Sequence, residues 1–209
     1  MCSNTAGVSV AALVRPASSL PVPGLRPRED VLPVLPPFDQ LLPYGGLARG
    51  SVVAVDSPAL GLALVAEASS RGAWCAVAGL PSLGAAAAGE IGCDLTRFVV
   101  VPAPGEQWAA AAATLLDGIE MVLVVPPKHT RSAEVRRLAA RVRERKGVLV
   151  AIGSWPEQVD VRLRIESSEW MGLDTGAGRL TARRCAISAS GRGAAARERR
   201  ITTWLPLGS

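Results

Sequence analysis

The sequence has few of the residues that build metal and haem centres. Its 209 residues include one histidine, His129, and four cysteines, none of which forms a CxxC pair. Structural zinc sites use closely spaced cysteine and histidine ligands, and this spacing is missing. We therefore expect no metal or haem. We expect His129 to lie in a surface loop, because no recognisable nucleophile turn adjoins it.

Long apolar runs are missing as well. No stretch approaches the roughly 20 apolar residues that cross a bilayer, and no charged segment followed by an apolar one opens the chain. With 49% hydrophobic and 20% charged residues, the composition is that of a globular protein. These features predict a cytoplasmic protein without membrane contact, made of one domain and an irregular leader.

Lysine is scarce, although the chain is basic. Only Lys128 and Lys146 are lysines among the 23 basic residues, and the formal net charge is +5. Arginine binds carboxylates and phosphates through a planar fork of donors, so nucleic acids and acidic proteins are both open as partners. A GC-rich genome would produce the same arginine excess without any such role.

Proline is unevenly distributed and marks a leader. Eight of the sixteen prolines fall in residues 1–43, in segments such as LPVPGLRP and VLPVLPPFDQLLP. Proline interrupts helices and central strands, so we predict an extended or disordered leader over 1–43 and a core domain over 44–206. The leader would drape on the core or dock on a partner, and its removal up to residue 40 would leave folding intact.

From residue 44 onward, strand and helix signals alternate. Short apolar strands are predicted at 51–55, 74–79, 97–103, 121–125 and 148–155, and helices at 60–72, 83–92, 105–118 and 131–147. Alternating segments then predict an antiparallel meander at 160–167, 179–190 and 199–206, with a hairpin turn within 169–180. The predicted class is α/β, with a mainly parallel central sheet flanked by helices and antiparallel C-terminal strands.

The first strand of the core is followed by a turn that lacks the chemistry of a phosphate loop. A working loop reads GxxxxGK[ST], in which the lysine reaches the outer phosphates and the hydroxyl binds Mg²⁺. The chain instead has VAVDSPALG, without that lysine or hydroxyl. MVLVV continues into Pro126 and Pro127 where a strand-end Asp is needed, and AVAGLPSLG offers no catalytic Glu. We predict a pseudo-ATPase with no catalytic residue and no cofactor.

Four larger blocks of the sequence carry a family resemblance, namely LPYGGLARGSVVAV, the segment from Trp74 to Ala88, LAARVRERKGVLVAIGSWP and GRGAAARERRITTWLP. These blocks resemble RecA-type recombinases and, among them, the ImuA-type homologues of bacterial mutasomes. The resemblance covers residues 32–206 and is greatest to the actinobacterial form, ImuA-prime. It implies a RecA-like core with a degenerate phosphate loop.

The same resemblance implies a non-catalytic accessory or adaptor protein of a translesion synthesis complex, induced by DNA damage in the SOS response. The implied partners are an ImuB-like Y-family polymerase homologue and an error-prone replicative-type polymerase. Such a protein would be cytoplasmic and associated with the nucleoid. A resemblance to the cell-division inhibitor SulA implies a different role, the capping of FtsZ. A degenerate RecA-like DNA-binding regulator is a third alternative.

Two arginine-rich segments are the candidate binding surfaces. Residues 128–146 carry eight basic and two acidic side chains, and residues 179–200 carry seven basic and one acidic. Such clusters favour contact with DNA phosphates or with an acidic partner, whereas a solvated helix face and exposed loops would give the same pattern. The arginines that we select as candidates for binding a partner or DNA are Arg136, Arg137, Arg141, Arg192, Arg197, Arg199 and Arg200.

Overall fold

The computed structural model describes residues 30–171 and 182–205, so most of the predicted hairpin turn within 169–180 lies outside the described residues. No helix in these two ranges is long and apolar enough to cross a membrane. The helices are α1 (Pro58–Ser70), α2 (Ala85–Glu90), α3 (Trp108–Leu116) and α4 (Ser132–Arg145). The strands are β1 (Val31–Pro33), β2 (Gly46–Ala48), β3 (Ser51–Val55), β4 (Cys75–Ala78), β5 (Phe98–Val101), β6 (Met121–Val124), β7 (Val148–Ile152), β8 (Val161–Met171), β9 (Ala182–Gly191) and β10 (Arg199–Leu205).

The strands β3 to β10 form one sheet in the order β10-β9-β8-β3-β7-β6-β4-β5. The pairs from β5 to β8 along this order are all parallel, while β9 runs antiparallel to both β8 and β10. This order confirms the predicted class, a mainly parallel sheet with antiparallel C-terminal strands. β1 and β2 pair separately as a short antiparallel hairpin.

Helices cover both faces of the parallel part of the sheet. α1 and α2 pack on one face, in a core cluster that includes Val53 and Val55 of β3. α3 and α4 pack on the other face, together with Val52 and Ala54 of the same strand. Because successive side chains of a strand point to opposite faces, a strand covered on both sides is apolar throughout. β6 and β7 fit this rule, since all of their residues are buried.

Most predicted elements are present with shifted boundaries, and two of the shifts change the character of the element. β8 continues to Met171 rather than ending near residue 167, with a bulge between Ile165 and Ser167. Such a bulge leaves one residue unpaired and bends the strand while pairing continues on both sides of it. The predicted helix 105–118 begins as a 3-10 turn over Gly105–Gln107, and α3 follows.

α1 is buried on nearly every side. Its residues from Leu60 to Ala66 are all buried, and so are Ala68 and Ser69. A helix that is apolar all round needs cover on both sides, and the sheet covers only one. The second cover includes β1 and β10, which both contact α1. Residues 30–48 contribute buried side chains to the same core cluster, namely Leu32, Val34, Phe38, Leu41, Leu42 and Leu47.

The described part of the predicted leader is therefore folded. Residues 30–43 are predicted to lie outside the core, but Leu32, Phe38 and Leu41 are only 5%, 3% and 0% exposed and belong to the cluster around α1. The prolines are compatible with this packing because β1 is short and Pro33 is its last residue. The folded core thus includes residues 30–43, and a truncation at residue 40 would remove part of it. Residues 1–29 lie outside the described residues.

Truncation tests this role of residues 30–43. A chain that starts at residue 44 loses part of the apolar cover of α1, including Leu32, Phe38 and Leu41, and we expect cooperative unfolding to be lost or strongly weakened. Phe38→Ala alone should cost about 3–5 kcal/mol, because it leaves a cavity in the core. Urea unfolding followed by circular dichroism measures both effects. A chain that starts at Asp30 is the matched control, and equal midpoints for the two truncations would contradict the assignment.

Candidate functional site

The connection between β3 and α1 occupies the position of a phosphate loop. β3 ends at Val55 and α1 begins at Pro58, so only Asp56 and Ser57 link the two elements. A phosphate loop surrounds its ligand with several backbone N–H groups. The two-residue turn has too few of them, and Pro58 has no N–H to donate.

The residues of this turn make structural contacts. The Asp56 carboxylate oxygen Oδ2 accepts a hydrogen bond from the backbone N–H of Ile165 at 2.8 Å, which ties β3 to β8. Gly61 lies against the sheet, where a Cβ atom would be 3.3 Å from Cδ1 of Ile152. Gly61 therefore allows α1 to approach the sheet closely. The carboxylate of Asp56 would repel a phosphate at the same place.

The carboxyl ends of β4 and β6 are held together by backbone contacts. The N–H of Val125 donates to the carbonyl of Ala78 at 2.9 Å. Gly79 has a φ of +85°, and a Cβ atom there would lie 2.9 Å from the carbonyl oxygen of Val125. This close approach explains why glycine follows β4. Across residues 30–171 and 182–205, no group of three or more His, Cys, Asp or Glu residues could hold a metal ion.

The described cysteines, Cys75, Cys93 and Cys185, are buried and form no disulfide. Burial raises the pKa of Cys75 to about 12 and the pKa of Cys93 to about 11, because the core solvates a thiolate poorly. Burial also raises the pKa of Cys185. A thiol with such a pKa stays protonated at neutral pH and is a poor nucleophile, so these cysteines act as core residues.

The selected arginines of α4 are largely engaged in ion pairs. Arg136 donates to Glu157 at 2.8 Å, and Arg141 binds Asp117 through two hydrogen bonds of 2.8 and 2.5 Å. The hydrogen bond from Arg141 is the main reason why the pKa of Asp117 lies below its ordinary value. Arg137 forms no ion pair with the described residues and lines a groove between α3 and α4.

The selected arginines near the C-terminus divide in the same way. Arg192 donates to Asp160 at 2.7 and 2.9 Å, and Arg200 pairs with Glu198 at 3.2 Å. Arg197 and Arg199 form no ion pair within the described part of the chain. Four of the seven selected arginines are thus paired with a carboxylate, which reduces the charge that the two segments present to a partner.

A cavity of about 540 Å³ lies at the amino-terminal edge of the central sheet. It brings the two arginine-rich segments together because α4 ends at this edge, next to the turn that follows β9. Of the seven selected arginines, Arg192 lines the cavity and the other six do not. Arg143 and Lys146, which belong to the first segment but were not selected, also line it. The wall is completed by residues 42–51, which lead into β3.

Asp160 fixes one side of this cavity. Its Oδ2 accepts from the N–H of Val52 at 2.8 Å, while Oδ1 accepts from Arg192. The backbone of Asp160 exchanges two further hydrogen bonds, with Val52 and Arg192. Gly191 sits so close that a Cβ atom there would overlap the carbonyl oxygen of Asp160. These contacts join β3, β8 and β9 in one rigid corner.

The rim of the cavity carries two cations that no carboxylate of residues 30–171 and 182–205 pairs with. Arg143 and Lys146 form no ion pair with the described residues. Lys146 is the C-cap of α4 with φ 53° and ψ 28°, a left-handed conformation that normally favours glycine. The aliphatic floor includes the buried side chains of Leu47, Val53 and Val161. Pro43, Ala48 and Ala194 add accessible apolar surface to the wall. The arrangement can bind a group that combines negative charge with an apolar side chain.

Sequence reasoning missed Arg143 and Lys146, although both belong to the first arginine-rich segment. Their position at the end of α4 was predictable, since the helix was expected to end before the strand at 148. The order of the strands was not predictable, so the approach of this helix end to the turn after β9 could not be inferred.

Substitution of Asp160 tests how much its contacts with Val52 and Arg192 stabilise the protein. Asp160→Ala leaves the N–H of Val52 and the guanidinium of Arg192 without their acceptor, and we expect a loss of about 1–3 kcal/mol in the free energy of unfolding. Asp160→Asn keeps an acceptor oxygen and should cost less. In urea unfolding, Arg192→Ala should add little to Asp160→Ala, because both remove the same contact. Fully additive losses would contradict the coupling.

The buried thiols predict a loss of stability at high pH. A thiol in the unfolded chain ionises near pH 9.0, whereas Cys75 and Cys93 keep their protons to about pH 12 and 11 in the native state. The thiols therefore leave stability unchanged below pH 9, and the free energy of unfolding falls as the pH rises from 9 toward 12. Urea unfolding at pH 8 and pH 10.5 measures the fall. It should be smaller in a Cys75→Ala/Cys93→Ala variant, and an equal fall would count against this origin.

Comparison with known proteins places the chain in a family. The profile of the family described as MT3502 N-terminal domain matches residues 40–157, which contain β2 to β7 and all four helices. The uncharacterized protein Rv3395c of Mycobacterium tuberculosis is 34% identical over 165 residues, covering 73% of this chain and 80% of that protein. The chain therefore belongs to the MT3502 N-terminal domain family.

Proposed function

We propose that the chain is an ImuA-type accessory protein, which acts through protein contacts in a translesion synthesis complex that DNA damage induces. The single observation that carries the proposal is the two-residue turn between β3 and α1. It stands in a mainly parallel sheet flanked by helices, and this architecture supports the resemblance to RecA-type proteins. The scaffold of a nucleotide-binding core is combined with a turn that does not suit a nucleotide.

The contacts around the turn support a non-catalytic role. Phosphoryl transfer depends on Mg²⁺ and on cations that stabilise the developing charge. At this position the chain has the carboxylate of Asp56, which is engaged with β8, and Gly61, which is packed against Ile152. Opening the turn for a triphosphate would break the Asp56 hydrogen bond and lift the start of α1 from the sheet.

Without nucleotide chemistry, the chain would act by binding other proteins. We propose an ImuB-like Y-family polymerase homologue and an error-prone replicative-type polymerase as the partners, since the resemblance is to the actinobacterial ImuA-prime form. The relative in Mycobacterium tuberculosis, an actinobacterium, is consistent with that form. Arg137, Arg197 and Arg199 are unpaired among the described residues and supply positive charge for an acidic partner or for DNA. A complex of this kind would act at the nucleoid.

Purification of the complex tests the proposal. The tagged full-length chain is expressed in cells of the source organism, the cells are treated with a DNA-damaging agent, and copurified proteins are identified by mass spectrometry. We expect enrichment of both polymerase homologues over untreated cells and over a tag-only control.

Two results would contradict the proposal. Enrichment of the division protein FtsZ without the polymerases would make the chain a division inhibitor similar to SulA. Heat of binding in a calorimetric titration with Mg-ATP, accompanied by phosphate release, would show that the turn supports nucleotide chemistry after all.

A further inference from the structure

The cavity at the amino-terminal edge has the properties of a peptide-binding site. We propose that it binds a short acidic segment of a partner protein, with a bulky apolar side chain on the aliphatic floor and carboxylates against Arg143 and Lys146. The inference deepens the proposed function and rests on it in one respect, namely that the ligand is part of a protein.

The cavity is preformed. Its volume of about 540 Å³ lies within the range of ligand pockets and accommodates one or a few side chains. The N–H of Gly50 donates to the carbonyl of Gly147 at 2.7 Å, which joins the segment before β3 to the end of α4. The opposite wall is fixed through the pair of Asp160 and Arg192. A ligand would therefore find its site without reordering these elements.

The side chains that line the cavity carry more positive than negative charge, which favours the binding of an anion. Asp160 is neutralised by Arg192, and Arg49 is paired with Glu120 at 2.6 Å. The other acidic residue that lines the cavity is Asp30, which stands against two cations, Arg143 and Lys146. Both of these side chains are exposed and form no ion pair with the described residues. A carboxylate on a ligand would meet two donors that form no ion pair within the described part of the chain.

The backbone of Lys146 adds a second, independent observation. Its φ of 53° places a β-carbon in a conformation that glycine adopts more easily. Basic residues near a helix C-terminus complement the helix dipole, but Arg143 and Arg145 already lie in the last turn. The helix end therefore does not need a third basic residue at position 146. The lysine does, however, place a cation at the rim of the cavity.

The lining favours a peptide over a nucleic acid. Single-stranded nucleic acids are held by exposed aromatic faces and by cations along an extended groove. Among the residues that line this cavity, Tyr44 is the one aromatic residue, and the unpaired cations number two. Pro43 and Ala48, which are half-buried, and Ala194, which is exposed, instead provide accessible apolar surface for an apolar side chain.

Fluorescence polarisation with a defined probe tests the proposal. The probe is a labelled decapeptide that carries four carboxylates around one leucine and one phenylalanine, and the matched peptide has amides in place of the carboxylates. We expect the full-length chain to bind the acidic peptide at least about 10-fold more tightly than the amide peptide.

Variants locate the site. Arg143→Gln/Lys146→Gln should weaken binding of the acidic peptide at least about 10-fold. Lys128→Gln/Arg164→Gln removes one lysine and one exposed arginine outside the cavity, and it should leave binding within about 2-fold. Lys146→Gly and Lys146→Ala should weaken binding equally, while only Lys146→Gly should raise the melting temperature, because it alone relieves the left-handed conformation. This comparison separates loss of binding from loss of folding.

Each of the following outcomes would overturn the proposal. No binding of the acidic peptide, or equal losses in the two double variants, would reduce the cavity to a structural cleft in a generally basic surface. Displacement of the peptide by an equal concentration of succinate or inorganic phosphate would make the ligand a small anion. Tighter binding of a labelled thymidine 20-mer, lost in Arg143→Gln/Lys146→Gln, would make it a nucleic acid. The assay contains no polymerase, so it fails or succeeds independently of the copurification.

Discussion

The burial of α1 on nearly every side is the constraint on which the rest of the structure depends. The helix presents no polar face between Leu60 and Ala66, and each leucine or valine side chain removed from water contributes about 1.5–3 kcal/mol. The central sheet covers only one side of such a helix. Residues 30–48 and β10 complete the cover, so a proline-rich segment and the last described strand belong to the same hydrophobic core.

The same packing explains the closed carboxyl edge of the sheet. Gly61 lets α1 lie close to Ile152, and the turn of Asp56 and Ser57 is just long enough to connect β3 with a helix in that position. A phosphate loop needs space between the strand and the start of the helix. In this chain, the contact between Gly61 and Ile152 fills that space. The residues at the start of α1 can therefore either pack against the sheet or leave room for a phosphate, but they cannot do both.

The sequence predicted most elements but few of their contacts. β6 and β7 were predictable because a strand covered on both faces has to be apolar throughout. The folding of residues 30–43 was missed because prolines indicate irregular backbone, while the demand of α1 for a second cover is a tertiary effect. Glu157 and Asp160 lie far along the chain from the arginines or strands that they contact, and no local pattern announces such pairs.

The pairing of charges also changes what the basic surface can bind. The first arginine-rich segment has a formal excess of six positive charges in the sequence, yet Arg136, Arg141 and Arg145 are held by carboxylates of the same molecule. Affinity for a polyanion grows with the number of phosphates neutralised, by a salt slope of about 0.9 for each one on duplex DNA. Two free cations at one cavity would therefore give weak dependence on salt. Such a surface suits a compact ligand with one or two carboxylates, for which shape and apolar contact have to supply the remaining affinity.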